Sequence, residues 1–416
     1  MMAGMDGDCG ERVLRRFAGL PAAAPLLARV ADVDGIFLVG GAVRDLLLDA
    51  VPLDLDLVIE GEIDRVLELL GSPARVHDRF GTCTVVLDGC SYDLARSRRE
   101  TYERPGALPS VAPASIDDDL GRRDFTVNAI ALGLGGRRRG ELIAVARALD
   151  DLRGRRLRVL HDGSFVDDPT RLLRLARYAA RLRFEPAEHT RELAAAAVRD
   201  GALGTISGQR IGAELRLALA EPDPVAAMIA LRSLGVDDAI APGLGLRDPG
   251  MAQRALALLP GDGDRGALVL AAAALSVEAG RLAALLESLA FAAARRDAIV
   301  AAAGRAPALA AVLARAAAPS AIAAVCAGAP PELVALAGAL PTPAGDPSRA
   351  ARRWLAQLRD VRLQITGDDL VAAGIRPGPG IGAGLRGALA AKLDGRVEGR
   401  DEELAEAIRI ASDAIL

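Results

Sequence analysis

Two carboxylates spaced one residue apart, soon after a pair of glycines, constrain this chain more than anything else in it. The run Ile36–Val39 is apolar, Gly40-Gly41 follows, and Ala42–Asp49 leads to Leu53–Ile59, which carries Asp54 and Asp56. The pattern predicts a strand, a glycine turn, a short helix and a second strand. Side chains alternate along a strand, so Asp54 and Asp56 are expected on one face and Leu53, Leu55 and Leu57 on the other. A lone Asp-x-Asp is commonly a solvated sheet edge. Paired with a glycine turn at a helix N-terminus, it suits a Mg²⁺–triphosphate site.

The bulk numbers exclude several classes. The 416 residues are 51% hydrophobic and 25% charged, which fits a globular chain of two or three domains. No stretch offers the ~20 clean apolar residues of a membrane span. Asp6, Asp8 and Glu11 stand where a signal peptide needs basic and then apolar residues, so a cytoplasmic protein is expected. Cys9, Cys83, Cys90 and Cys326 form no Cys-x-x-Cys pair, which argues against a zinc knuckle or a disulfide framework. The net charge of −4 argues against a generally cationic nucleic-acid binder, yet Asp151–Arg183 holds nine Arg against four Asp. Lys392 is the sole lysine.

Taken in order, Glu11–Leu20 and Ala22–Val30 read as a helical lead-in, and Ile36–Val145 as mixed α/β. A helix is expected at Glu62–Leu70, then strands at Thr82–Leu87 and Ser91–Ala95 joined by Asp88-Gly89, a hairpin turn. Arg96–Ser115 reads as a long mobile loop. Arg122–Ile130 taken alone reads as a helix with a basic N-terminal edge, unfavourable for the macrodipole, so those charges need another partner. Beyond Asp150 the pattern is helical. Asp168-Pro169 begins a helix to about Arg183, with leucines on one face and Arg171, Arg174, Arg177 and Arg181 on the other. Helices are also expected at His189–Arg199 and Gly208–Ala220. Residues 221–345 read as Ala/Leu-rich helical hairpins, and the last segment as a helix start, a kinked connector and two closing helices. The expected domains are 1–150, 151–220 and 221–416.

Three stretches, in this order, resemble the signature of the class II nucleotidyltransferases of the DNA polymerase β superfamily. They are Gly40-Gly41-Ala42-Val43-Arg44-Asp45 with Asp54-Leu55-Asp56, Arg122-Arg123-Asp124-Phe125-Thr126-Val127-Asn128-Ala129, and Asp167-Asp168-Pro169-Thr170-Arg171. That group includes tRNA nucleotidyltransferases (CCA-adding enzymes) and bacterial poly(A) polymerases. The resemblance implies an α+β fold: a polymerase β-like nucleotidyltransferase head with a small mixed sheet, then an all-α neck, body and tail. It implies Mg²⁺ held by Asp54 and Asp56 as the catalytic pair, and Gly41, Arg44 and Arg123 as triphosphate ligands. Asp168 and Arg171 then read the incoming base, and Arg174 and Arg177 contact phosphate or primer. The base-reading chemistry is sensible. Asp168 accepts from the exocyclic amine of cytosine or adenine, and Arg171 donates to the adjacent ring nitrogen. Guanine and uracil present the opposite order and leave buried groups unpaired, at about 1–3 kcal/mol each.

The implied activity is template-independent addition of C and A to the 3′ end of tRNA from CTP and ATP, with no obligatory protein partner. Partial CC- or A-addition, poly(A) synthesis, or a catalytically silent RNA-binding role are the alternatives. Asp167 stands where the family often has Glu. Asp93 is a candidate third acidic group or a surface strand residue. Arg98–Pro109 resembles the family's flexible loop, closest to forms that include partial, A-adding enzymes, and Ser207–Leu215 a structural neck-helix element. His161-Asp162 lacks the further ligands that a metal-dependent phosphohydrolase needs.

Overall fold

In the computed structural model, which describes residues 3–71, 75–77 and 82–413, the lead-in forms two helices, α1 (Ala3–Ala18) and α2 (Ala23–Val30). A seven-stranded sheet follows. Its strands are β1 (Ile36–Val39), β2 (Asp56–Ile59), β3 (Arg75–His77), β4 (Thr82–Leu87), β5 (Cys90–Arg96), β8 (Ile130–Gly133) and β9 (Leu142–Ala144), in the order β3-β4-β5-β2-β1-β8-β9. β1 is central and buried at all four positions, which is why it reads as a continuous apolar run. It pairs antiparallel with β2 and β8, whereas β2 pairs parallel with β5, so the sheet is mixed. Phe37, Val39 and Val58 meet Ile116, Leu120, Ala129 and Ala131 in one core cluster. Helices α3 (Gly41–Leu47) and α4 (Ile63–Leu70) connect the strands. Asp88 and Gly89 both take positive φ, 50° and 83°, as a tight two-residue hairpin requires.

Three expectations are corrected. The second strand begins at Asp56, not Leu53. Pro52 has no N–H to give a ladder, and only Leu55 reaches β5, its carbonyl accepting from Asp93 N–H at 3.1 Å. Leu53 is therefore 81% exposed instead of sharing the buried side with Leu55 and Leu57. The stretch Arg96–Ser115 is not a long loop. β6 (Arg98–Thr101) and β7 (Ser110–Pro113) pair antiparallel in a separate hairpin. Its charges find partners, Arg98 with Glu100 and Arg99 with Asp118. Finally, Arg122–Ile130 is not a helix. Helix α5 (Ile116–Gly121), started by a Ser115/Asp118 capping box, stops there. A 3₁₀ turn at Thr126–Asn128 then leads into β8. The Asp124 carboxylate accepts from Phe125 N–H (2.8 Å) and Asn128 Nδ2 (3.0 Å), a local alternative to helical pairing.

The chain then continues through α6 (Ala148–Arg153), α7 (Ser164–Asp167), α8 (Thr170–Leu182) and α9 (Glu188–Arg199). All of these belong to a unit formed by residues 1–207 and 234–239. The second unit, residues 208–233 and 240–416, is helical from Gly208–Ala220 to Gly399–Asp413. Two of its helices, Arg265–Ala273 and Pro331–Ala339, are buried nearly all round, as their almost wholly apolar sequences require. At its C-terminal end Lys392 Nζ donates to the fully buried Glu403 carboxylate at 2.6 Å. Among the described residues no helix is long and apolar enough to cross a membrane.

Candidate nucleotide-binding site

β1 delivers the chain to Gly40, whose φ of 65° favours glycine. A Cβ there would also lie 2.7 Å from Arg123 Nη1, so the close approach of that guanidinium needs glycine as well. Gly40 and Gly41 form one wall of a cavity of about 320 Å³ in the first unit. Asp56, Arg122, Arg123, Asp168, Arg171 and Arg174 also line it. Of the residues singled out in the sequence, the structure thus brings Gly41, Asp56, Arg123, Asp168, Arg171 and Arg174 to one space. Asp54, Arg44 and Arg177 do not line it. Asp54 is exposed and faces a second cavity together with Asp93.

The arginines are organised by carboxylates to which the sequence reading gave no role. Asp119, fully buried on α5, accepts from Arg122 Nη2 (2.7 Å) through one oxygen and from Arg123 Nη2 (3.0 Å) through the other. Glu100 on β6 accepts from Arg122 Nη1 (2.8 Å) and from the Tyr102 hydroxyl (3.0 Å). Burial, with Glu100 next to it, pushes the Tyr102 phenol up to about 12. Arg44 is 2% exposed. It donates through Nε (2.9 Å) and Nη2 (2.7 Å) to Asp45 and through Nη1 to the Asn128 amide oxygen. Asn128 passes the connection to Asp124, which accepts from Arg174 Nε at 2.9 Å. Burial alone would raise the Asp124 carboxyl, but Arg174, Asn128 and Arg171 outweigh it and hold it below the usual range.

The far wall is the start of α8. The helix begins at Thr170, two residues after the expected cap, yet Asp168 still caps it. Its carboxylate accepts from Thr170 N–H (3.1 Å) and Thr170 Oγ1 (2.6 Å). Arg171 is 5% exposed, and its guanidinium donates to Ser164 Oγ and to the Arg122 carbonyl, each at 2.7 Å. Tyr178, two turns along α8, stacks edge-on against Phe125 and lies under the guanidiniums of Arg44, Arg174 and Arg177.

At the other end, Asp56 pairs across the sheet with Asp93. Desolvation by the surrounding protein raises the Asp56 carboxyl even though the side chain stays exposed at the strand's start, the Asp93 and Asp54 carboxylates add to the rise, and Arg123 opposes it. Among the described residues no three His, Cys, Asp or Glu side chains form a complete metal cage. Mg²⁺ does not need such a cage, because it takes one or two carboxylates and completes its shell with water and substrate phosphate.

Of the residues missed in the sequence, Glu100 and Tyr102 were hidden in a stretch without a clean strand pattern. Their i, i+2 alternation with Arg98 was the available signal. Asp119 was hidden in a run of three aspartates, and nothing local distinguishes it from Asp117 or Asp118.

Residues 36–158 match the family model described as the poly A polymerase head domain. A CC-adding tRNA nucleotidyltransferase from Deinococcus radiodurans is 38% identical over 91% of this chain and 90% of its own length. An A-adding tRNA nucleotidyltransferase from Geobacter sulfurreducens is 34% identical over 91% of this chain, which spans only 45% of that relative. Among solved structures, a CCA-adding enzyme in complex with CTP superposes with a TM-score of 0.80 at 27% identity, covering 97% of this chain and 98% of its own. The Thermotoga maritima CCA-adding enzyme complexed with tRNA gives 0.77 at 27% identity, covering 95% and 97%.

Proposed function

The chain belongs to the family of tRNA nucleotidyltransferases and poly(A) polymerases, and on that premise we propose that it adds C and A nucleotides to the 3′ end of tRNA from CTP and ATP. One observation carries the reading: the Asp168/Arg171 pair lines the same cavity as Asp56 and the Gly40-Gly41 turn. A nucleotide with its base at α8 would therefore extend its phosphates toward the carboxylate strand.

In this reading Asp168 accepts from the amine of cytosine or adenine, and Arg171 donates to the neighbouring ring nitrogen. Arg123 and Arg174 neutralise the triphosphate, against which the Gly40-Gly41 backbone closes. Arg44 acts from behind, holding Asn128 and, through Asp124, the Arg174 head group. Arg177 braces Tyr178. Asp54 and Asp56 would hold Mg²⁺, which when bound would neutralise charge on the phosphates and favour ionisation of the attacking hydroxyl. The RNA 3′-hydroxyl attacks the α-phosphate and pyrophosphate leaves. The cytoplasm, where such tRNA and nucleotides meet, is the proposed location.

Partial addition is a second reading, because the Deinococcus relative is named CC-adding and the Geobacter relative A-adding. One assay separates the two. The protein is incubated with tRNA ending at the discriminator base, at -C or at -CC, with CTP and ATP together, one of them labelled, and the products are sized. Extension of all three to -CCA is the expected result. Arrest at -CC, or activity on the -CC substrate alone, selects partial addition. No extension of any substrate rejects the proposal.

A further inference from the structure

The nucleotide cavity is rich in groups for a base edge and for phosphates, and poor in groups for the flat faces of a base. Its described lining is glycine, carboxylate, guanidinium and amide, apart from two rings, Tyr102 and Tyr178. The rings are not equivalent. Tyr178 is already covered, with the guanidiniums of Arg44, Arg174 and Arg177 over it and Phe125 meeting it edge-on. Tyr102 is half-buried just beyond the end of β6, and of its side chain only the hydroxyl is engaged, donating to Glu100 at 3.0 Å. No ring or guanidinium of the described residues stacks on it.

The position of Tyr102 is fixed from two sides. Glu100, through its other oxygen, accepts from Arg122 Nη1 (2.8 Å), and the Arg122 carbonyl accepts from Arg171 Nη2 (2.7 Å). Further along the hairpin, Gly106 N–H donates to the Val166 carbonyl (3.1 Å), which pins its turn to α7, the helix whose Ser164 holds Arg171. Tyr102 lies close enough to the base-reading pair that the charges of Arg171 and Asp168 both act on its phenol.

We propose that Tyr102 is the stacking platform for the base of the incoming nucleotide, its ring against one face of the base while Asp168 and Arg171 read the edge. The inference rests on the nucleotidyl-transfer reading above and adds to base recognition a group from outside α8. A base has an edge that hydrogen-bonds and two π faces that do not, and an aromatic ring gains from stacking on any of them. The Tyr102 hydroxyl is spent on Glu100 and stays protonated at neutral pH, so the side chain presents a ring to the cavity and not a charge. Stacking tolerates any base, so the choice of C and A stays with Asp168 and Arg171, and Tyr102 contributes tightness. A purine covers more of the ring than a pyrimidine, so adenine depends on Tyr102 more than cytosine does.

The test uses the full chain and measures the affinities of CTP, ATP and ribose 5′-triphosphate, which lacks a base, by calorimetry. Incorporation of CMP into tRNA is followed alongside. Tyr102→Leu should weaken CTP about fivefold and ATP about tenfold or more, and leave ribose 5′-triphosphate within about twofold. Tyr102→Phe keeps the ring and drops the hydroxyl, so all three affinities should stay within about threefold of the unaltered protein. Tyr102→Trp should bind ATP at least as tightly as the unaltered protein. An equal loss of ribose 5′-triphosphate affinity in the Leu variant overturns the proposal, because Tyr102 would then only support the arginines. So does a Phe variant as weak as the Leu variant, which would assign the effect to the bond with Glu100. Unchanged CTP and ATP affinities in the Leu variant overturn it as well and leave the base face to a guanidinium. Should the Leu variant not fold, a Trp variant weaker on ATP than the unaltered protein overturns it. An unaltered protein that binds CTP and ATP but incorporates neither rejects the nucleotidyl-transfer reading, and the affinities then decide the stacking role by themselves. One that binds neither nucleotide overturns both.

Discussion

The two ends of the nucleotide cavity are built differently. At the carboxylate end like charges are crowded, Asp56 against Asp93 and Asp54, with Arg123 the opposing charge. At the α8 end the charges are tied down. Arg171 is fixed by Ser164 and the Arg122 carbonyl, Asp168 by Thr170, and Arg174 by Asp124. The difference separates two tasks. Charge is left uncompensated where a cation and a phosphate would arrive, and geometry is fixed beforehand where a base would be selected, so recognition costs little reorganisation.

The sharpest way to break this comparison is at the crowded end. On the proposed reading, Asp56→Ala lowers single-turnover incorporation of CMP by about a thousandfold or more, while tRNA still shifts in a gel. Turnover near the wild-type rate would show that the crowding has no catalytic purpose. At the fixed end, Arg171→Ala should lower kcat/KM for CTP by about 10- to 100-fold, since Asp168 then faces the base without its partner donor. Loosening that end without removing a reading group is milder. Thr170→Val deprives Asp168 of a hydroxyl donor and should cost about two- to tenfold in kcat/KM for CTP. A Thr170→Val effect as large as that of Arg171→Ala would mean that placement of Asp168, not Arg171, dominates selection.

The smallest effect concerns Asp124, which ties Arg174 to the 3₁₀ turn. Its folded carboxyl sits below the ordinary value, so its stabilisation is present above the unfolded pKa of about 4 and is lost as pH falls through the folded value. The stability gap between wild type and Asp124→Asn, measured by urea unfolding, should therefore narrow as pH drops below about 4. A gap that widens on acidification would contradict the charge-pair assignment.

Much of this was legible in local sequence. β1 and the helix Gly208–Ala220 have the boundaries their apolar runs and glycines suggest, and Asp168-Pro169 marks the start of α8 within two residues. Asp56 was legible as a strand residue, but not the length of its strand or the exclusion of Asp54 from it, because Pro52 removes a donor where alternation continues unbroken. Long-range partners were the limit elsewhere. Arg44 resembles a phosphate ligand by position, yet its guanidinium is taken by Asn128, 84 residues away. The β6–β7 hairpin looks like a charged loop until Arg122 and Asp118 meet Glu100 and Arg99. Arg122–Ile130 reads as a helix until the Asp124 side chain takes the Phe125 N–H and the Arg158 carbonyl takes that of Thr126.

Base selection by a fixed Asp168/Arg171 pair is the centre of this reading, and competition between nucleotides tests it most directly. Wild type and Arg171→Ala are each given tRNA ending at the discriminator base with equal CTP and UTP, and the identity of the first added nucleotide is read. The predicted result is C alone for wild type and a measurable share of U for the variant. A variant slowed on CTP that still excludes U would contradict it.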